Sequence, residues 1–329
     1  MQGRRYLLLI SIACAGLLPA GSAHAAGAPM PSSASMKAGA VAPGGSERLI
    51  TRRAGEDTLV AAIRRRDGAL LRSRTIRGRW GVAPVAFDGA TTGLSADGRA
   101  LVLVRPERRY PPTSTRLAVL DARTLAVRRE IPLAGFFTLD AVSRDGRWAY
   151  LIQYESENVL DYRVRALDAA TGRLAARDIV DPRSPGEQMG GLPMTRAMSH
   201  DGRWAYTLYS GGEETFIHAL DTAGRTAACI DLEMLLPDSD LTGYRLRVSG
   251  NGGRIDVRAP DRSLVATVDA RTFAVSEPGQ RPEPAPAATR NTPTEPPDDS
   301  GFPWLPLFLV AGLAGVCALG VAIARRRFA

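Results

Sequence analysis

Carboxylate and tyrosine side chains fall together in the long irregular segments that separate the predicted strands of this sequence. Closely spaced carboxylates can bind a hard cation, or they can act as general acid and base on a sugar. The candidate binding residues are Tyr154, Glu155, Glu157, Tyr162, Glu187, Glu213, Glu214, Asp238 and Asp240. The alternative interpretation is that these side chains are solvated loop charges without a ligand.

The sequence offers little material for other kinds of catalytic or metal site. No loop shows the regular alternation of Asp or Asn that binds calcium. Of the three histidines, His24 lies near the N-terminus, His200 occupies a predicted turn and His218 lies within a predicted strand. The sequence therefore contains too few suitably placed histidines for a serine triad or a histidine-rich metal site. We expect no cofactor, no bound metal and no catalytic residue that can be named.

An internal repeat of about 50 residues predicts the elements that position these side chains. The motif Ser-x-Asp-Gly-Arg begins at Ser95, Ser143 and Ser199, and a looser copy begins at Ser249. A second motif, an apolar residue followed by Asp, keeps the same spacing at Asp121, Asp168, Asp221 and Asp269. Asp-Gly favours a tight hairpin turn, and the apolar runs that follow each copy are typical of buried strands. Several short strands in each unit of this length are typical of propeller blades.

The repeats resemble those of the YVTN and quinoprotein-like β-propeller class. The resemblance is carried by the turn from Ser143 to Tyr150 and the turn from Asp168 to Gly172, and it covers about residues 46–276. It implies an all-β propeller of four-stranded blades, but it implies no particular function. Residues 48–78 form a first unit that lacks the Asp-Gly-Arg turn. If this unit is counted, we expect about five blades, arranged as a closed or an irregular ring. In up-and-down blades the tight turns share one face, and the long loops with the candidate residues share the opposite face.

The N-terminus resembles an export signal. Residues 1–25 contain two arginines, an apolar core and a small-x-small cleavage pattern, which together predict a secretory signal peptide. Cleavage ahead of Cys14 as a lipoprotein and export by the twin-arginine route are the two alternatives. Residues 26–45 are predicted to be a disordered lead-in. Because Cys229 is the only cysteine of the predicted exported domain, no disulfide can form within it.

The C-terminus resembles a membrane anchor. Residues 302–324 include an uncharged stretch long enough to cross a bilayer as one transmembrane α-helix. The arginine-rich tail, residues 325–329, places the C-terminus in the cytoplasm by the positive-inside rule. Residues 277–301 are rich in proline and predict an extended linker. We therefore expect a single-pass membrane protein whose bulk lies outside the cytoplasm.

The distribution of charge argues against nucleic acid as a partner. The formal net charge is +8, but five arginines lie at the two ends and residues 26–301 carry only +3. A nucleic-acid-binding protein needs its basic excess on the folded domain. Residues 48–79 are an exception, with ten arginines against three acidic residues. This first blade could meet an anionic polymer, lipid headgroups or an acidic partner, or its charge could serve solubility alone.

Three hypotheses about function follow. The preferred one is a membrane-tethered, extracytoplasmic propeller that binds a protein or a cell-envelope polymer through its loop face. The second is an extracytoplasmic hydrolase or lyase that uses the carboxylates of that face. The third is an accessory subunit of a membrane complex, in which the membrane span provides the recognition.

Overall fold

The computed structural model describes residues 39–107, 109–155, 159–186, 189–210 and 214–279. These residues form strands, turns and loops, and none of them belongs to a helix that could span a membrane. The predicted signal peptide, the transmembrane helix and nearly all of the linker lie outside the described residues.

Five antiparallel blades follow one another along the chain, as the repeat predicts. Blade 1 contains β1 (Ala40–Val41), β2 (Glu47–Ala54), β3 (Asp57–Arg64) and β4 (Leu70–Ile76). Blade 2 departs from the predicted four strands: its main sheet has three, β7 (Ala100–Val104), β8 (Ser114–Asp121) and β9 (Val127–Ala134), and a separate two-stranded sheet is formed by β5 (Ala83–Pro84) and β6 (Thr91–Thr92). Blade 3 contains β10 (Phe136–Val142), β11 (Trp148–Tyr154), β12 (Asp161–Asp168), β13 (Arg173–Ile179) and the short β14 (Met189–Gly190). Blade 4 contains β15 (Leu192–Met198), β16 (Trp204–Ser210), β17 (Phe216–Asp221) and β18 (Thr226–Asp231). Blade 5 contains β19 (Arg245–Val248), β20 (Arg254–Arg258), β21 (Leu264–Asp269) and β22 (Val275–Ser276).

The first blade begins earlier than the sequence predicts. Ala40–Val41 lies within residues 26–45, the segment assigned to a disordered lead-in, and it pairs with β2 through Leu49 and Arg48. Pairing there satisfies backbone groups at the edge of β2 that would otherwise be left open. The prediction of disorder was wrong for this short strand, because it rested on the Ala-, Gly- and Ser-rich composition of the segment.

The Ser-x-Asp-Gly motif closes the turn between the first two strands of its blade. In blade 3, the Ser143 hydroxyl donates to Asp145 Oδ1 at 2.6 Å and accepts the backbone N–H of Trp148 at 2.9 Å. Asp145 Oδ1 also accepts the N–H of Arg147 at 3.0 Å, while Gly146 adopts a φ of 72°. The polar side chains of the motif therefore stabilise the turn, because their hydrogen-bond partners lie within five residues.

Apolar side chains fill four interfaces, each between consecutive blades. The two faces of β11 show the pattern: Ala149 and Leu151 pack toward blade 2, whereas Tyr150 and Ile152 pack toward blade 4. A strand buried on both faces reads as a continuous apolar run, which is what the sequence shows here. No apolar cluster among the described residues joins blade 5 to blade 1, so the apolar packing forms an arc of five blades.

The hairpin formed by β5 and β6 reaches from blade 2 to blade 4. The backbone N–H of Phe87 donates to the carbonyl oxygen of Pro193 at 2.9 Å, and that of Asp88 donates to Met194 at 3.0 Å. Asp88 Oδ2 also accepts the hydroxyl of Thr195 at 2.7 Å. The hairpin tip thus ties blade 2 to the first strand of blade 4.

Candidate functional site

A pocket of about 430 Å³ lies beside this hairpin where residues of blades 1 to 4 meet, and we call it the axial pocket. Strands of four blades contribute to its wall: β1 through Val41, β6 through Thr91, β10 through Val142 and β15 through Met198. Val41 and Met198 are 46% and 39% exposed, so they give the pocket an apolar rim. Its size falls within the range of small-molecule and side-chain pockets.

One charged side chain, that of Arg196, lines the axial pocket. The side chain is only 4% exposed, and its Nη2 forms an ion pair with Oδ1 of Asp140, whose side chain is 2% exposed. Arg196 Nε and Nη1 have no hydrogen-bond partner among the described residues, and neither does Asp140 Oδ2. A buried polar group without a partner is costly, so each such group calls for an explanation.

The unpaired N–H donors of Arg196 favour a ligand that carries a hydrogen-bond acceptor. A guanidinium group presents its N–H donors in a planar fork that matches a carboxylate, and such charge-assisted hydrogen bonds are strong where water is excluded. Arg196 uses part of its fork on Asp140, and its Nε and Nη1 atoms are buried without a partner, so a ligand in the pocket reaches them only if the side chain rearranges. The pocket is therefore suited to a ligand that combines a carboxylate with an apolar group.

A row of polar side chains continues from Arg196 across blade 4, inside the interface with blade 3. The strand register places Arg196 opposite Thr207, Thr207 opposite His218, and His218 opposite Cys229. His218 is 1% exposed, and neither of its ring nitrogens has a hydrogen-bond partner among the described residues. Burial lowers the pKa of His218 from 6.5 to about 4, so the imidazole is neutral at pH 7.

This lowered pKa predicts that the protein loses stability in weak acid. The folded-state pKa lies below the unfolded value, so the contribution of His218 is complete above pH 6.5 and declines as the pH falls toward 4. We expect the free energy of unfolding to be about 2 kcal/mol lower at pH 5 than at pH 7.5 from this residue alone. Chemical denaturation at both values measures the difference.

The variant His218→Gln is expected to remove this part of the pH dependence. His200→Gln is the matched control, because it makes the same change of residue at an exposed turn position. An identical pH profile for the wild-type protein and His218→Gln would show that the imidazole does not titrate as described.

The tyrosines among the sequence-predicted site residues are buried. Tyr154 is 8% exposed and Tyr162 is 3% exposed, with their ring centroids 6.0 Å apart in the interface of blades 3 and 4. The ring of Tyr209 lies 5.7 Å from that of Tyr162. Burial raises the pKa of all three hydroxyl groups well above its usual range. These rings form part of the apolar core and do not present a surface to solvent.

The described carboxylates of that set lie in three separate loops between strands. Glu155 forms an ion pair with Arg163 at 3.0 Å, and Asp240 accepts the backbone N–H of Thr242 at 2.9 Å. Glu214 and Asp238 are exposed, whereas Glu157, Glu187 and Glu213 lie outside the described residues. Within the part of the chain that the structure describes, no three His, Cys, Asp or Glu side chains form a group that could hold a metal ion.

Sequence reasoning missed Asp140 and Arg196, although each left a signal. Asp140 interrupts the apolar strand β10, all of whose residues are buried, and Arg196 lies within β15. A charged residue in the first strand of a blade faces the core or the axis, where it needs a partner. The pair itself was not visible in the sequence, because 56 residues separate its members.

Comparisons with known proteins yield similarities of backbone structure alone. No protein-family model and no curated protein matches this sequence. The chain is similar to hydrazine synthase of Kuenenia stuttgartiensis, with 15% identity over 72% of this chain and 64% of that chain and a TM-score of 0.43. It is similar to the β-propeller domain of Myceliophteria thermophila Cps50 (Swd1), with 12% identity over 70% of this chain and 63% of that chain and a TM-score of 0.40. It is also similar to TolB of Acinetobacter baumannii, with 12% identity over 72% of this chain and 55% of that chain and a TM-score of 0.40. The chain thus spans less than two thirds of each of these structures, and the propeller architecture rests on its own strand pairing and blade packing.

Proposed function

We propose that the protein is a membrane-tethered, extracytoplasmic binding module whose axial pocket receives a carboxylate-bearing segment of a protein partner. The observation that carries the proposal is the buried Arg196 side chain, which lines the pocket and keeps two donor groups without a partner. The tether and the location outside the cytoplasm rest on the signal-like residues 1–25 and the apolar residues 302–324 of the sequence.

The walls of the axial pocket favour a protein partner over a polysaccharide. A cell-envelope polymer can also supply a carboxylate, but its sugar rings carry hydroxyl groups that need hydrogen-bond partners. The rim residues Val41 and Met198 are apolar and accessible. Apolar side chains next to a carboxylate lose water favourably against such a rim, whereas sugar hydroxyl groups that contact Val41 and Met198 would lose water without gaining a hydrogen bond from them.

The proposal is tested with the full chain extracted from membranes in detergent and an array of acidic peptides synthesised as carboxylates and as amides. We expect the chain to be released by detergent and not by salt, and a subset of peptides to bind only as carboxylates. Arg196→Lys keeps a positive charge beside Asp140 but loses the planar fork, and it should weaken binding at least tenfold. Met198→Trp should block the rim to a similar extent.

The matched control is Val127→Trp, which adds the same ring at an exposed apolar position on β9, outside the axial pocket. It should leave peptide affinity unchanged. Binding that survives both pocket variants would refute the assignment of the site. Binding of uronic-acid oligosaccharides without binding of any peptide would refute a protein partner.

A further inference from the structure

The free face of blade 5 contains a second, larger depression, which we call the arginine groove. It has a volume of about 710 Å³ and is open to solvent. Four of its seven lining residues are arginines, namely Arg245, Arg247, Arg258 and Arg262, and the other three are glycine, alanine and proline. No acidic side chain is among the described residues that line it.

The strand register explains how the arginines come to share a face. Arg245 and Arg247 alternate along β19 with Leu246 and Val248, which pack toward blade 4. Arg258 of β20 lies directly opposite Arg245. Like charges directly opposite each other on neighbouring antiparallel strands are destabilising, so Arg245 and Arg258 form an unfavourable pair on this face.

Few carboxylates near the groove offset this charge. Asp256, whose side chain is 9% exposed, lies opposite Arg247 in the ladder, but it contacts Arg258 Nη2 at 2.7 Å and Arg254 Nε at 2.9 Å. Arg245 Nη1 donates to the carbonyl oxygen of Tyr244 at 2.7 Å. One carboxylate therefore serves two arginines, and the groove retains a positive excess.

Blade 1 differs, although its sequence carries the larger formal charge. Arg64 pairs with Asp67 at 3.0 Å, Arg72 with Glu47 at 2.8 Å, and Arg79 with Glu56 at 2.9 Å. These ion pairs neutralise part of the positive charge of blade 1. The arginine groove is thus the better anion site, because it combines converging arginines with a concave surface.

We propose that the arginine groove binds a ligand that carries two or more phosphate groups. Several guanidinium groups spread over one concave surface match several dianionic oxygen clusters, and each fork can bind a phosphate through two hydrogen bonds. The bound phosphates relieve the repulsion between Arg245 and Arg258. This chemistry differs from that of the axial pocket, where a single buried arginine faces apolar walls.

The test is calorimetric titration of the full chain in neutral detergent with inorganic tripolyphosphate. We expect binding that weakens as salt increases, because oppositely charged exposed groups are screened. Arg247→Glu should weaken it at least tenfold, and the double variant Arg245→Glu with Arg247→Glu should abolish it. Both positions are exposed, so the variants should remain folded and unfold cooperatively, as thermal denaturation checks.

The matched control is Arg74→Glu, which makes the same change of charge at an exposed position of β4 in blade 1. It should change the affinity less than twofold. Equal weakening by Arg74→Glu would show a general effect of net charge and would overturn the proposal, as would the absence of tripolyphosphate binding. Arg196→Lys should leave this binding unchanged, so the arginine groove and the axial pocket can fail independently.

A second arm of the experiment distinguishes the source of the phosphate. Mixed micelles that contain an anionic phospholipid are added to the complex with tripolyphosphate. Displacement of tripolyphosphate supports the groove as a site for lipid headgroups, whereas retention supports a soluble or polymeric phosphate ligand. Displacement by micelles of neutral lipid alone would contradict a charge-based site.

Discussion

Replacing Asp140 with leucine is expected to lower the free energy of unfolding by about 3–5 kcal/mol. The substitution leaves the guanidinium group of Arg196 in the interior without its carboxylate, and both side chains are almost fully buried. Removing one partner of a buried ion pair costs more than the pair contributes, because the remaining charge stays desolvated. Denaturant unfolding followed by tryptophan fluorescence measures the change.

A double-mutant cycle with Arg196→Met separates this effect from lost packing. We expect Arg196→Met alone to be strongly destabilising, and the double variant to be more stable than the sum of the two changes by at least 2 kcal/mol. The matched control is the exposed pair of Glu155 and Arg163, where Glu155→Ala should cost less than about 1 kcal/mol. Additive effects at Asp140 and Arg196 would mean that the two side chains do not interact as described.

Replacing Gly202 with alanine is expected to destabilise the protein by about 3–4 kcal/mol. Gly202 lies in the Asp-Gly turn of blade 4 with a φ of 71°, a conformation that costs an L-residue about 1 kcal/mol or more. A Cβ atom built there would lie 2.1 Å from the Cβ of Ala96 in the corresponding turn of blade 2. Two backbone segments would have to separate, and neither end of the contact is a flexible side chain.

Gly252→Ala provides the control for Gly202→Ala. Gly252 occupies the same place in the turn of blade 5 with a φ of 74°, but nothing lies within 4 Å of its Cβ position. This variant should therefore report the conformational cost alone, about 1–2 kcal/mol. Equal losses of stability in the two variants would show that the turns of blades 2 and 4 do not meet.

The repeated turns were predictable because their interactions are local. Each Ser-x-Asp-Gly unit satisfies its hydrogen bonds within five residues, as Ser143 and Asp145 do, so the residue types alone indicate the conformation. The number of blades followed from the spacing of these turns, and the apolar runs between them indicated strands buried on both faces. The short strand β1 was missed because it has no such turn motif and only two residues.

The site was not predictable in the same way. Tyr154 and Tyr162 end and begin strands beside a long loop, so their positions in the sequence suggested exposure, but packing of blade 3 against blade 4 buries both rings. Arg196 and Asp140 meet only because β15 and β10 are neighbouring first strands. The axial pocket likewise needs residues from four blades, from Val41 to Met198.

Local hydrogen bonding and hydrophobic periodicity thus decide the class of fold, the number of blades and the form of each turn, because these forces act over a few residues. Contacts between blades decide which polar residues are buried and which stay open to a ligand. The arginine of the axial pocket and the arginines of the groove are indistinguishable from other arginines along the chain. Only the packing of distant strands, which removes water from Arg196 and leaves Arg247 exposed, gives them different chemistry.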